Sequence, residues 1–205
     1  MEFDEVIQKR HIVRDWKETH VSLKAIVDII EAGLKAPSND HLRNWEFIIL
    51  HDQKEKETAL QYVKTWSSKQ KENKQILKMQ TITQQMYAYA MPRQYSMLAD
   101  APYLIIPLFR GGSKLFKATA IHHLNSFASI WCVIENIFLA ATAKGLGCSM
   151  RIPVGEEGKQ VTTILNVPDE YIMPCYIGIG YEADAHYAVK QVERKVEDTL
   201  HFGKW

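Results

Sequence analysis

The sequence predicts a domain of mixed structure, α+β or α/β, with helices covering both faces of a few-stranded sheet. Three observations lead there. Segments with helical apolar spacing alternate along the chain with short, strand-like apolar runs. One segment, 126–144, is apolar around most of its circumference and belongs in a buried, central position. No repeat of fixed period and no Pro/Gly/Ser-rich linker divides the 205 residues, a length near the ~150 residues of one domain.

Each element has its own warrant. Residues 2–10 read as a short first helix. Leu23, Ile26, Ile29, Ile30 and Leu34 fall at helical spacing, so 22–35 is amphipathic, with Ser22 as N-cap and Pro37 as the stop. Residues 46–51 (EFIILH) form a strand, and 53–65 a mostly polar helix. Residues 67–91, rich in Lys and Gln, read as one or two exposed helices. Residues 103–109 (YLIIPLF) form a strand that Pro107 argues should not hold a central ladder position, and 110–113 a turn. The helix at 126–144 presents Phe127, Ile130, Trp131, Val133, Ile134, Ile137, Phe138 and Leu139, and Gly145 ends it. It is too short for a membrane span, and Glu135 and Asn136 interrupt it. Strands at 148–152 and 175–181 (CYIGIGY) flank a short helix at 156–165, and 187–205 is a charged tail.

Composition excludes several roles. With 25 Lys+Arg against 24 Asp+Glu, the +1 net charge argues against a dedicated nucleic-acid partner and gives no reason to expect a membrane surface. A 46% hydrophobic share argues against disorder. Cys132, Cys148 and Cys175 are odd in number and form no CxxC pair, so neither a disulfide framework nor a zinc site is expected. The start, MEFDEVIQKRH, does not read as a secretory signal, which leaves a cytoplasmic location as the default expectation. There is no GxGxxG after a strand, GxxxxGK[ST], GxSxG or HExxH, and His122-His123 reads as a surface pair rather than a metal site.

Four segments could carry chemistry. Arg10-His11-Ile12-Val13-Arg14 is either a solvated helix end or a phosphate site, since arginine's planar fork suits phosphate oxygens. The loop APSNDHLRNWEF (36–47) is either a plain helix-to-strand turn or a donor-rich loop for a polar heterocycle. ENIFLAATAKGLG (135–147) reads by itself as core architecture, and Arg194-Lys195 as a solvated basic pair.

In this order the four segments resemble the nitroreductase family of flavin-dependent oxidoreductases. RHIVR stands where that family has RRSxR or RHSxK, and APSNDHLRNWEF where it has APSxxNxQPWxF. ENIFLAATAKGLG matches ENxLLAAxxxGLG, and the glycine-containing strand IGIGY leads into a basic tail. The resemblance implies a three-layer αβα sandwich of α+β class with a mostly antiparallel sheet. It also implies a homodimer with FMN bound non-covalently at the interface and a C-terminal tail (187–205) wrapping the partner; the segment 66–98 is long enough to form a helical lid, as specialised enzymes of the same fold would carry.

By position, Arg10 and His11 would bind phosphate or ribityl oxygens, and Ile12 could donate its backbone N–H. Arg14 would reach the pyrimidine edge and stabilise charge there, or share the phosphate. Pro37, Ser38, Asn39 and His41 would approach from the other subunit. Backbone at Arg151 and Ile152 would face the ring, and Arg194 and Lys195 would add phosphate contacts. The chemistry would be done on the flavin, with no metal. NAD(P)H would reduce it, and an acceptor such as a nitroaromatic or quinone would then be reduced in ping-pong order. A flavin-storage or sensor protein, or a specialised redox enzyme of the same fold, is the alternative. Ile12, His41, Arg43 and Asn44 depart from the pattern. Ile12 replaces a serine hydroxyl, Asn44 replaces Pro, and His41 and Arg43 replace Asn and Gln, bringing positive charge suited to anionic substrates or the phosphates of NADPH.

Overall fold

Ser22 is extended and its hydroxyl accepts the Ala25 amide at 3.2 Å, which starts α2 (Leu23–Gly33) where the sequence predicts it. The computed structural model describes residues 1–70, 78–111, 115–184 and 192–205. Ahead of α2 lies α1 (Phe3–Lys9). Strand β1 (Trp45–Leu50) follows. The helix expected over 53–65 is broken at Leu60 into α3 (Gln53–Ala59) and α4 (Gln61–Ser67). Next come α5 (Ile82–Ala90), opened by a Thr81–Gln84 capping box, and the short α6 (Ser96–Ala99). Then come β2 (Tyr103–Arg110), α7 (Asn125–Ala143), β3 (Gly147–Arg151), α8 (Glu157–Ile164), β4 (Tyr171–Ile172) and β5 (Tyr176–Gly180). The two-residue β4 carries no readable sequence signal. The predicted turn at 110–113 lies partly outside the described residues, as do parts of the predicted lid and tail.

The sheet runs β1-β2-β5-β3, with β4 also on β2, and every strand ladder is antiparallel. Strand β2 is therefore central, against the expectation drawn from Pro107. Opposite β1, its partners are β5 up to Ile105 and β4 from Phe109. Pro107 falls in the gap between them, where no ladder partner exists on that side.

The period-2 alternation of β2 separates two cores. Tyr103, Ile105 and Phe109 face α2 and α7, while Leu104, Ile106 and Leu108 pack with Leu60, Val63, Met97 and Val161 from the other helices. This is the three-layer sandwich of α+β class. Gly178 permits close packing on the second face: a Cβ there would lie 2.8 Å from the Met97 carbonyl oxygen and 2.5 Å from Ser149 Oγ. Those two atoms are themselves hydrogen-bonded at 2.8 Å.

Helix α7 corrects one expectation. It buries Ile130, Val133, Ile134, Ile137, Phe138 and Ala141, but Phe127, Trp131 and Leu139 stay partly exposed. In a single chain, only one face of this apolar helix is covered. With the turn before it, 121–143 has the length and composition of a membrane span, yet its buried face packs on α2, β2 and β3.

Candidate functional site

The basic motif is held as an extra edge beside β3. Ile12 bridges Cys148 in parallel, the Val13 amide donates to the Cys148 carbonyl at 2.8 Å, and Lys17 N–H donates to the Tyr181 carbonyl at 2.8 Å. Gly147 makes this approach possible, because a Cβ there would meet Val13 Cγ2 at 2.4 Å. The last glycine of the GLG segment thus fits the close passage of the RHIVR chain.

On this edge Arg10 Nε lies 3.5 Å from Glu135 Oε1, so the first and third sequence segments meet on α7. His11 Nδ1 is 2.7 Å from the Lys9 carbonyl and Nε2 is 2.8 Å from Glu182. Partial burial works against a charged His11 ring, but the bonds to Glu182 and Lys9 outweigh it and raise its pKa above the usual histidine range.

Arg14 is different. Its guanidinium is half-buried and Nη1 donates only a long 3.4 Å bond to the Ile12 carbonyl. Its buried Nε has no hydrogen-bond partner among the described residues. Burial draws its pKa down and nearby Arg93 adds to this, while Tyr89 and Asp15 oppose it. The group stays charged at neutral pH all the same. An open groove of ≈ 630 Å³ runs from Arg14 past Lys17 and His20 to Asp100 and Pro102.

The second segment sits elsewhere, at the N-terminal end of α7. Asn39 N–H donates to Ser129 Oγ at 3.1 Å, and Asn125 Nδ2 donates to Asn39 Oδ1 at 3.0 Å. Ser38 Oγ accepts the Arg43 amide at 3.3 Å. Pro37 and His41 are exposed. Asp40, His41 and Arg43 have φ of 49°, 52° and 46°, positive values uncommon for residues with a Cβ, while Leu42 between them is right-handed. This loop and the Arg10–Arg14 edge contact α7 at residues six apart, Ser129 and Glu135, which is a rise of about 9 Å.

The side chain of Arg151 is buried and committed within the protein. Nε and Nη2 bind both oxygens of Glu157 at 3.1 and 2.7 Å, and Nη1 donates to Gln94 at 3.1 Å. Its guanidinium stands 4.5 Å from the Trp66 ring centre. Ile152, next along, is exposed, and Arg194 and Lys195 lie on exposed tail. The structure therefore brings Arg10, His11, Ile12 and Arg14 together, holds the Pro37–His41 loop apart from them, and leaves the basic pair in solvent. Asp15, Tyr89 and Arg93 lie outside the sequence motifs, whereas Glu135 opens ENIFLAATAKGLG and Glu182 follows IGIGY in the last motif, IGIGYEADAHYAVKQVERKVED.

Comparison with known proteins shows the family. A family model described as "Nitroreductase family" matches residues 7–181. An iodotyrosine deiodinase of Thermotoga neapolitana is 23% identical over 88% of both chains. A 4-nitrobenzoate reductase of a Nocardioides strain is 21% identical over 90% of this chain and 82% of its own. A nitroreductase with bound FMN from Bacteroides fragilis superimposes over 100% of both chains with a TM-score of 0.70 at 21% identity. The basic edge, the glycine that admits it, the antiparallel sheet between helical layers and a family match reaching from α1 to just beyond β5 agree, and the chain belongs to the nitroreductase family.

Proposed function

We propose that the chain is an FMN-dependent oxidoreductase that takes hydride from NAD(P)H and passes it to a small organic acceptor such as a nitroaromatic or quinone, as a cytoplasmic homodimer. Arg14 carries the reading. A desolvated guanidinium with an unpartnered Nε is unfavourable by itself, and an anionic or carbonyl-edged ligand would satisfy it. The donor set therefore fits a flavin. When bound, FMN would supply the ring that accepts and donates hydride.

The chain's own residues would hold and orient it. Arg10 and His11 would bind phosphate or ribityl oxygens, with the Ile12 backbone beside them. Arg14 would hold the pyrimidine edge and stabilise negative charge there. Pro37, Ser38, Asn39 and His41 of a second copy would close over the ring, and backbone at Arg151 and Ile152 would face it. Arg194 and Lys195 would arrive on the tail. Two observations support the homodimer. Phe127, Trp131 and Leu139 leave an apolar face of α7 partly open, and the tail exposes Val192, Val196, Leu200, Phe202 and Trp205.

The purified protein is expected to show flavin absorption that bleaches anaerobically with NADH or NADPH. The colour should return on adding 4-nitrobenzoate, a quinone or iodotyrosine, acceptors that span those in the relatives' names. A colourless protein that takes up no added FMN would overturn the reading. A yellow one that neither nucleotide bleaches would favour a storage or sensor role. His41→Ala with Arg43→Ala should raise the KM for NADPH by roughly three- to tenfold and for NADH less, with the difference shrinking in high salt. Equal constants for the variant and the parent would remove the two side chains from nucleotide binding.

A further inference from the structure

Arg14 is followed in sequence by a carboxylate, and the simplest arrangement would be for Asp15 to neutralise it. The structure engages Asp15 elsewhere. Tyr89, from α5, donates its hydroxyl to Asp15 Oδ2 at 2.5 Å. Arg93, just beyond α5, places Nε 3.7 Å from Asp15 Oδ1. Arg93 also lies 4.2 Å from the Tyr89 ring centre and donates Nη1 to the Tyr89 carbonyl at 3.2 Å. Arg14 is 5.9 Å from the centre of the same ring. Both oxygens of Asp15 therefore face groups other than Arg14, and Arg14 keeps its charge and its unpartnered Nε.

We propose that Tyr89 and Arg93 act as positioning residues that occupy Asp15 and so reserve the Arg14 guanidinium for the electron-rich edge of the bound cofactor. The inference rests on the FMN reading above and deepens it. Two guanidiniums against one carboxylate leave the cluster with a net positive charge in partly desolvated surroundings. A fixed positive field there favours the reduced, more negative form of whatever Arg14 holds. Arg93 adds to the field directly and also draws Asp15 away. Asp15 opposes it, by an amount that its two partners set.

The test is the flavin midpoint potential, measured by anaerobic dye-equilibrated titration of FMN-loaded protein. Arg93→Gln removes a positive charge and frees Asp15, and Tyr89→Phe removes the hydroxyl that holds Asp15. Both should shift the oxidised/reduced equilibrium toward oxidised by about tenfold, about 30 mV for a two-electron couple. Asp15→Asn should shift it the other way, and Arg93→Lys should stay within threefold of the parent. A purely structural role would loosen FMN in every variant and produce no such opposition of signs. Shifts in one common direction, or none above threefold, would overturn the proposal. If Arg93→Gln does not fold, Tyr89→Phe against Asp15→Asn carries the same test. Failure of the parent protein to take up FMN is seen before any variant is made, and it counts against the FMN reading itself.

Discussion

Glu157→Gln should lower the unfolding free energy by about 3–5 kcal/mol, the cost of leaving a buried charge without its partner. Arg151 and Glu157 are 4% and 5% exposed, so water does not reach either. The pair is bidentate, and Nη1 of the same guanidinium donates a third bond to Gln94. Four parts of the fold meet there: the end of β3, the first turn of α8, the turn after α5 and Trp66 of α4. In a domain of about this size each kcal/mol moves Tm by roughly 2–4 °C, so a drop of about 10 °C is expected. Urea denaturation at fixed FMN concentration measures it, since ligand shifts apparent stability.

Arg151→Met with Glu157→Met should recover much of the loss, because the desolvation cost of both charges is removed together. A Glu157→Gln protein within 1 kcal/mol of the parent would show that Gln94 and the amide satisfy the guanidinium unaided. Exposed pairs such as Lys24–Asp28 are screened by solvent, and their removal should be barely visible. The same pair holds the backbone where Arg151 passes into Ile152. Its loss is therefore expected to reach the proposed site as well as the fold.

The sequence makes the layers legible because burial writes periodicity into it. The unbroken apolar run YLIIPLF, buried on both faces of the sheet, and the helical spacing of Ile26 and Ile29 follow directly from which faces are covered. Pro107 misleads because a proline reports a missing donor, and only the partner strands show that none was needed there. Helix α7 is overread for a related reason: apolarity says that a face will be covered, not that this copy of the chain covers it. Lys56 escapes entirely. It sits in a polar helix, yet it is 4% exposed and donates to the Ala99 and Ala101 carbonyls at 2.8 and 2.7 Å.

The motif residues of the proposed site are legible because their order and spacing survive in one dimension. Their partners are not. Tyr89 and Asp15 are 74 residues apart, and nothing local marks either as the other's partner. Arg151 and Glu157 are only six apart, but a strand end and a helix start separate them, so their side-chain directions cannot be inferred from spacing. The left-handed Arg43 is equally silent, since neither glycine nor asparagine announces it.

Gly147→Ala should reduce FMN affinity by at least tenfold while costing about 1–3 kcal/mol of stability, the usual range for an overpacked site. The new methyl would lie 2.4 Å from Val13 Cγ2 and 3.0 Å from Val13 Cβ. Val13 is 2% exposed and its own amide is bonded to Cys148, so it has no room to retreat without breaking that bond. The yielding part is then the edge chain itself, which would move away from β3 and take Arg10 and Arg14 with it. Val13→Ala in the Gly147→Ala background removes both Cγ atoms and leaves only the 3.0 Å contact, so much of the affinity should return. Val13→Ala alone leaves a small void and should bind FMN nearly as the parent does. The cycle of single and double variants, read by FMN titration and by urea denaturation together, should therefore show a coupling of roughly 0.5–3 kcal/mol. Unchanged FMN affinity in Gly147→Ala would mean that the packing of Val13 on β3 does not set where the two arginines stand. A loss of affinity that Val13→Ala fails to restore would point to the β3 backbone rather than the edge chain.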